Sequence, residues 1–276
     1  MIKCNQHIAI LLATYNGEKY LREQIESLFA QTYKDWHIYV HDDGSKDGTM
    51  SILSEYASQH ADKVTLLDYA SQGGACRNFL SLLDRVDAPY YMFCDQDDVW
   101  HPDKVALTMQ AMEGIENSHP SLSIIVHTDL MLTDESLNVT AQSFIANQRI
   151  RIDKVKRFED YAATNTVTGC TMLFNNMAKG AMKPLSPYTM MHDSWLCLST
   201  VAQGGIIHFI PRPTIMYRQH ADNTLGAKKG SEFSFYHKLC NIKEQIAHNI
   251  QHYKEMNAIK RLTVIDFISA KIRYKK

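Results

Sequence analysis

The chain has 276 residues, 45% hydrophobic and 21% charged, with 29 Lys and Arg against 30 Asp and Glu. This is ordinary for a soluble globular protein and enough for one large domain, or one domain with an appendage. A formal net charge of −1 excludes a global pull toward nucleic acid, and no run approaches the roughly 18 apolar residues of a membrane span.

The N-terminus shows no charged segment followed by a long apolar one, and Cys4, Cys76, Cys94, Cys170, Cys197 and Cys240 form no C-x-x-C pair. A reducing, cytoplasmic setting is expected. Charge is uneven along the chain. From Lys228 onward there are 11 Lys and Arg against 4 Asp and Glu, so an acidic body carries a basic tail expected to meet something anionic.

Ile8–Thr14 is a continuous apolar run that stops at "YNG", as expected of a strand buried on both faces. From Glu18, the spacing of Leu21, Ile25, Leu28 and Phe29 is that of a helical face. "WHIYVHDDGS" reads as a second strand, "GTMSILSEYASQ" as a helix and "KVTLLDY" as a third strand. "CRNFLSLLDRV" reads as a helix stopped by Pro89, and "YYMFC" as a fourth strand. This alternation predicts an α/β domain with a largely parallel sheet. In the second half, strands are expected in "SLSIIVHTDLMLTD", "VTGCTMLFN", "GIIHFIP" and "PTIMYRQH", and a helix in "HDSWLCLSTVAQ". Beyond Gly230, Leu239, Ile242, Ile246, Ile250 and Tyr253 form a helical stripe.

Open parallel sheets bind ligands beyond the carboxyl ends of their strands. The four strands are followed by "TYNGE", "DDGS", "SQGGACRN" and "DQDD". In an extended segment Asp95 and Asp97 point the same way and Asp98 the other. Two carboxylates on one side suit Mg²⁺ or Mn²⁺, which complete their shell with water and phosphate oxygens. Plainer readings stand beside this one. Asp98 could start the helix of "KVALTMQAM", Asp42 and Asp43 could make an Asx turn, and Arg77 could be a surface residue. Asp193 is also good N-cap chemistry, His220 could be structural, and Trp100 and Trp195 could be core anchors.

"LLATYNGEKYLREQIESLFAQTY", "DDGSKDGT", "RNF" and "FCDQDDVWHPDK" resemble the family 2 glycosyltransferases of the GT-A fold. "TGCTMLF", "HDSW" and "YRQHADN" resemble the bacterial rhamnosyltransferase-type branch, and the matches run in order from Ile8 to Asn223. The resemblance implies a GT-A catalytic domain over 1–226, its mixed, largely parallel sheet flanked by helices, and a basic helical extension over 227–276. It implies inverting transfer of a sugar from a nucleotide-diphosphate donor to an acceptor hydroxyl. Asp95 and Asp97 would hold Mn²⁺ or Mg²⁺ against the diphosphate, Asp97 more directly, with His220 completing the shell. Thr14, Tyr15, Asn16, Glu18, Asp43, Arg77, Asp95 and Gln96 would surround the nucleotide, Asp43 reading a pyrimidine N–H. Asp193 would take the acceptor proton, with Asp98, Gly169, His192, Trp195 and Arg218 toward the sugar or acceptor.

The branch favours dTDP-L-rhamnose, with a UDP-hexose or UDP-N-acetylhexosamine as the alternative donor. The acceptor would be a saccharide or lipid-linked saccharide in surface-polysaccharide assembly. A phosphotransferase would carry its nucleophilic D-x-D after the first strand, whereas "DQDD" follows the fourth. A non-catalytic nucleotide-sugar-binding subunit would be expected to have lost Asp97, Asp193 or His220, and all are present. The basic tail fits either peripheral contact with an anionic membrane or a helical cap on the catalytic domain.

Overall fold

The computed structural model describes residues 2–3, 7–164, 166–182, 186, 189, 191–221 and 242–275. Ile8–Thr14 (β1) is buried along its whole length, since helices cover both faces of the sheet. It lies parallel to Trp36–Asp42 (β2) on one side, and Val64–Leu66 (β3) extends the sheet beyond β2. On the other side it lies parallel to Tyr90–Cys94 (β4). Leu21–Phe29 (α1), Thr49–Gln59 (α2) and Ala75–Arg85 (α3) are the connections between these strands. The expected alternation of four strands with three connecting helices is thus present.

The second half adds Val99–Trp100 (β5), Lys104–Ser118 (α4), Ile124–Thr133 (β6), Val139–Ala141 (β7), Phe158–Ala163 (α5), Met172–Asn175 (β8), His192–Ala202 (α6) and Ile206–Arg218 (β9). The sheet order is β3-β2-β1-β4-β8-β6-β9-β5, with β7 paired to β6. β8 is antiparallel to both neighbours, and β9 is parallel to β6, which makes the sheet mixed.

Three local expectations change. "GIIHFIP" and "PTIMYRQH" form one strand, β9, whose register against β6 shifts around Pro213. Pro211 and Pro213 offer no N–H, so the ladder skips there and the strand continues. Asp98 does not start a helix, because β5 follows it and α4 begins only at Lys104. Within "VTGCTMLFN", a 3₁₀ turn at Gly169–Thr171 precedes a short β8.

Side-chain alternation along β1 splits the core. Ile8, Ile10 and Leu12 pack under α1, α2 and α4. Ala9, Leu11 and Ala13 face Phe79, Leu82 and Leu83 of α3 and Leu196 and Cys197 of α6. A third cluster joins Phe158 and Ala162 of α5 and Trp195 and Leu198 of α6 to the C-terminal helices Ile242–Ile259 (α7) and Val264–Lys275 (α8). Met256, Ile259, Leu262 and Phe267 supply the tail's share. The described part of the tail therefore packs on α5 and α6. Of the expected stripe, Tyr253 edges this cluster and Ile250 is exposed, while Leu239 and the side chains of Ile242 and Ile246 lie outside the described residues. Cys4, Cys240, Asn223 and the 226/227 boundary also lie outside them.

Trp195, fully buried between α5 and the tail, is the largest single filler of this cluster. Trp195→Ala should cost about 3–5 kcal/mol in denaturant unfolding, as large-to-small changes in a packed core do.

Candidate active site

Because β1, β2 and β4 are parallel, their carboxyl ends open on one edge, and the loops there are tied by side-chain-to-backbone bonds. Gln96 accepts the Tyr15 N–H at 2.8 Å and donates to the Tyr15 carbonyl at 2.9 Å, clamping the β4 loop to the β1 loop. Gly17 makes the clamp possible, since a Cβ there would lie 2.3 Å from Gln96 Oε1. Asn16 accepts the Lys46 N–H and Glu18 the Gly48 N–H, both at 2.8 Å, so these two side chains join the β1 and β2 loops. Thr14 Oγ1 donates to Asp42 at 2.9 Å, and Asp42 in turn accepts the N–H groups of Gly44 and Ser45.

Asp43 organises the third loop. It accepts the Ser71 hydroxyl and the N–H groups of Gln72, Gly73 and Gly74. Burial pushes its carboxyl up, but the Gly74 and Gln72 N–H groups and the Ser71 hydroxyl outweigh that and hold it below the usual range. Gly73 and Gly74 have φ of +75° and +124°, which lets consecutive N–H groups turn toward one carboxylate.

These loops border an open cavity of about 590 Å³, lined among others by Thr14, Tyr15, Asp43, Asp95, Gln96, Asp97, Gly169, His192 and Asp193. Asp95 and Asp97 face it, and Asp98 does not. Asp98 is fully buried and accepts the Arg218 N–H at 3.1 Å. His220 Nε2 sits 2.8 Å from Asp97 Oδ2. Burial, then the neighbouring Asp97, pushes the Asp95 carboxyl up, and the same two causes push the Asp98 carboxyl up.

Asp95 and Asp97 line the cavity, and His220, which does not line it, touches Asp97 from behind; two carboxylates and an imidazole are donor types that suit Mn²⁺. A second grouping, Asp95, Asp98 and Cys170, has ligand atoms within 4.8 Å of one another. It suits Mn²⁺ or Mg²⁺ less well, because a thiol is a soft ligand and neither Asp98 nor Cys170 lines the cavity.

Several expected site residues have other work. Arg218 is buried, with Nε on the Asp97 carbonyl at 2.9 Å and its terminal nitrogens on the Glu135 carbonyl and the Glu23 carboxylate. It holds loops together behind the cavity wall. Trp195 lies in the third core cluster, Arg77 is exposed on the first turn of α3, and Glu18 is engaged with Gly48. None of these, nor Asn16, lines the cavity. The expectation that Asp98 contacts the sugar is likewise replaced by its bond beneath the loop.

Asp193 lies in the first turn of α6, whose N-cap is Met191, so it is not the cap. Its Oδ2 accepts the Gly169 N–H at 3.1 Å and its Oδ1 the Ser194 N–H at 2.6 Å. Beside it, His192 is wedged against Phe79 and Phe93, with ring centroids at 4.4 and 4.6 Å. Burial pushes this imidazole down to about 3, so it is neutral, and neither ring nitrogen has a hydrogen-bond partner among the described residues. Gly169 leaves the room it needs, for a Cβ there would lie 2.7 Å from His192 Nε2.

Sequence reasoning missed Tyr217 and Phe79 in the cavity wall, and Lys104 behind it. Lys104 is fully buried, its Nζ 3.7 Å over the Trp100 ring, and burial pushes its ammonium down to about 7 against the pull of Cys170, Cys94 and Asp98. Nothing in a helical repeat marks one lysine as interior. Phe79 carried a signal, since it belongs to the "RNF" motif.

A mixed sheet whose parallel half presents acidic loops to a cavity defines the GT-A class of glycosyltransferases. Within that class the chain belongs to glycosyl transferase family 2, whose family model matches residues 9–179, more than half of its length. It is 27% identical over 230 residues to the dTDP-rhamnosyl transferase RfbG of Shigella flexneri, covering 78% of this chain and 74% of that one. It is 28% identical over 221 residues to an uncharacterized glycosyltransferase, RP339, of Rickettsia prowazekii (strain Madrid E), covering 79% of this chain and 65%, under two thirds, of that relative. Among solved structures, S. aureus TarS 1-349 in complex with UDP-GlcNAc matches with a TM-score of 0.57 at 16% identity, over 97% of this chain and 73% of that one. The mannosyltransferase PcManGT from Pyrobaculum calidifontis, in complex with GDP-Man and Mn²⁺, matches with a TM-score of 0.63 at 16% identity, over 98% and 69%. At such identity the structural likeness is one of fold.

Gly169→Ala should drive His192 into Phe79 and Phe93 and lower transferase activity by about tenfold or more, as misplacement of a site by a fraction of an ångström does. Gly114→Ala, where nothing lies within 4 Å of the added carbon, should leave activity unchanged. Steady-state assays of the two variants check this.

Proposed function

We propose that the protein is a metal-dependent, inverting glycosyltransferase that moves L-rhamnose from dTDP-L-rhamnose to a hydroxyl of a saccharide or lipid-linked saccharide. The observation that carries this reading is that one cavity is lined by Asp95, by Asp97 (backed by His220) and by the buried Asp193. The likeness to a dTDP-rhamnosyl transferase supports the donor. The reaction belongs to surface-polysaccharide assembly at the cytoplasmic face of a membrane.

Asp95, Asp97 and His220 would hold Mn²⁺ or Mg²⁺. When bound, the cation supplies positive charge against the departing nucleoside diphosphate. Thr14, Tyr15 and Asp43 hold the nucleotide. Asp43 Oδ2 carries one backbone N–H, from Gly74, and keeps a lone pair for a pyrimidine N–H. The two backbone N–H groups on Asp193 orient its carboxylate and leave lone pairs for the acceptor hydroxyl. That hydroxyl gives its proton to Asp193 as its oxygen bonds the anomeric carbon. The bond to the diphosphate breaks on the opposite side and its electron pair leaves with the phosphate, so configuration inverts. Neutral His192 offers one donor and one acceptor, which matches a sugar hydroxyl and disfavours an anionic group.

Thermal shift with dTDP-L-rhamnose, UDP-glucose and UDP-N-acetylglucosamine, each with and without Mn²⁺, tests the donor. Saturation at about 100 times Kd stabilises by about 2.7 kcal/mol, so dTDP-L-rhamnose with Mn²⁺ should give the largest shift. A larger shift with a UDP-sugar would replace the donor assignment, and no dependence on Mn²⁺ would remove the metal. Asp97→Ala should abolish the Mn²⁺-dependent part of the shift. Asp193→Asn should keep the shift and lose transfer by about a hundredfold or more, as removal of a general base does.

A further inference from the structure

Ten large apolar side chains are exposed among the described residues, and half of them lie on α7 and α8. Val264, Ile265, Ile268 and Ile272 are 53%, 75%, 52% and 52% exposed. At 100° per residue these four fall within an arc of roughly 100°, one stripe along α8. Phe267 and Ala270, on another side of the helix, are buried. α8 thus has two apolar sides, one packed on the domain and one open. A contiguous aliphatic stripe left open marks a contact surface.

We infer that this stripe is the docking face of the protein for an anionic lipid bilayer, into whose headgroup–acyl boundary α8 settles lengthwise. The inference rests on the reading above, in which the acceptor is lipid-linked, and adds where the membrane is met. Four observations favour lipid over a protein partner. The stripe is purely aliphatic and holds none of the aromatic, Met or Arg anchors that protein interfaces concentrate. Four side chains are far too few for the roughly 800 Å² per partner of a stable dimer. The turn that leads into α8 exposes Lys260 and Arg261, and α8 contains Lys271, Arg273 and Lys275 with Asp266 as its one acid. The Thr263 hydroxyl bond leaves the Asp266 charge in place and Arg273 is paired with Asp160 at 3.3 Å, but the remaining lysines and Arg261 outnumber Asp266, so the stripe's surroundings are net basic and complementary to acidic headgroups.

Twelve residues make a helix of about 18 Å, which is too short to span a bilayer. No described helix is long and apolar enough to cross a membrane. α8 therefore lies in the interface plane. Its packed side meets Trp195 and Leu198 through the third cluster, on the same helix whose first turn carries Asp193. Docking through α8 sets the acceptor side of the catalytic domain in a fixed relation to the membrane surface.

Flotation of the full chain with vesicles of phosphatidylcholine containing phosphatidylglycerol, and with phosphatidylcholine alone, tests this. The protein should float with the anionic vesicles and much less with the neutral ones. Ile265→Asn with Ile268→Asn should reduce flotation by about tenfold or more, since two buried isoleucines are lost. Both positions are more than half exposed, so the variant should keep the wild-type melting temperature and the donor-induced thermal shift. Lys260→Glu with Arg261→Glu should reduce binding to anionic vesicles alone. Wild-type protein that stays at the bottom of the gradient, or a double Asn variant that floats like wild type, overturns the inference. So does a dimer, seen by sedimentation, that the Asn variant breaks apart, for that assigns the stripe to a second copy. A missing donor shift with normal flotation would sink the proposed function and leave the docking face standing.

Discussion

Like charge crowded at one sheet edge is the constraint around which this structure is arranged. Asp95, Asp97 and Asp98 fall within four residues, and two unit charges 4 Å apart repel by about 4 kcal/mol in surroundings typical of a protein surface. The chain spreads this repulsion over several devices. Asp97 meets His220, and Asp98 turns inward to the Arg218 N–H. Arg218 itself is held by the Asp97 carbonyl, Glu135 and Glu23 and lies over the Tyr20 ring at 4.4 Å, so its buried charge is fully partnered. Lys104, buried on the core side of the loop, is drawn toward its charged form by Cys170, Cys94 and Asp98 against the burial that pushes it down to about 7. Asp95 and Asp97 remain facing the cavity, the only two of the three that a ligand can reach there.

That division also explains which parts were legible beforehand. The parallel half could be read because its strands are continuous apolar runs separated by helical periods, and β1, β2 and β4 follow their runs closely. The cavity edge could be read because parallel strands must deliver their following loops to one side. Asp95 and Asp97 could be separated from Asp98 by the alternation of an extended chain. What the pattern does not carry is the destination of long side chains. Arg218, Arg77 and Trp195 each sit next to motif residues in sequence, yet their side chains go to a loop network, to solvent and to the core. β9 covers two expected strands, "GIIHFIP" and "PTIMYRQH", as one. Here Pro211 and Pro213 fall where the ladder against β6 shifts register, so their missing N–H groups cost little.

The α6 wall of the cavity shows how one helix serves two ends. Asp193 and Trp195 are two residues apart on α6, about 200° around the axis. One side faces the cavity, and the other enters the cluster made with α5, α7 and α8. His192 fills the angle between them against Phe79 and Phe93. The direction of the Asp193 carboxylate is therefore set by packing on both flanks of α6, not by local hydrogen bonds alone. The C-terminal helices contribute Met256, Leu262 and Phe267 to that packing. A tail that would read as an optional appendage is structurally part of what holds Asp193 in place.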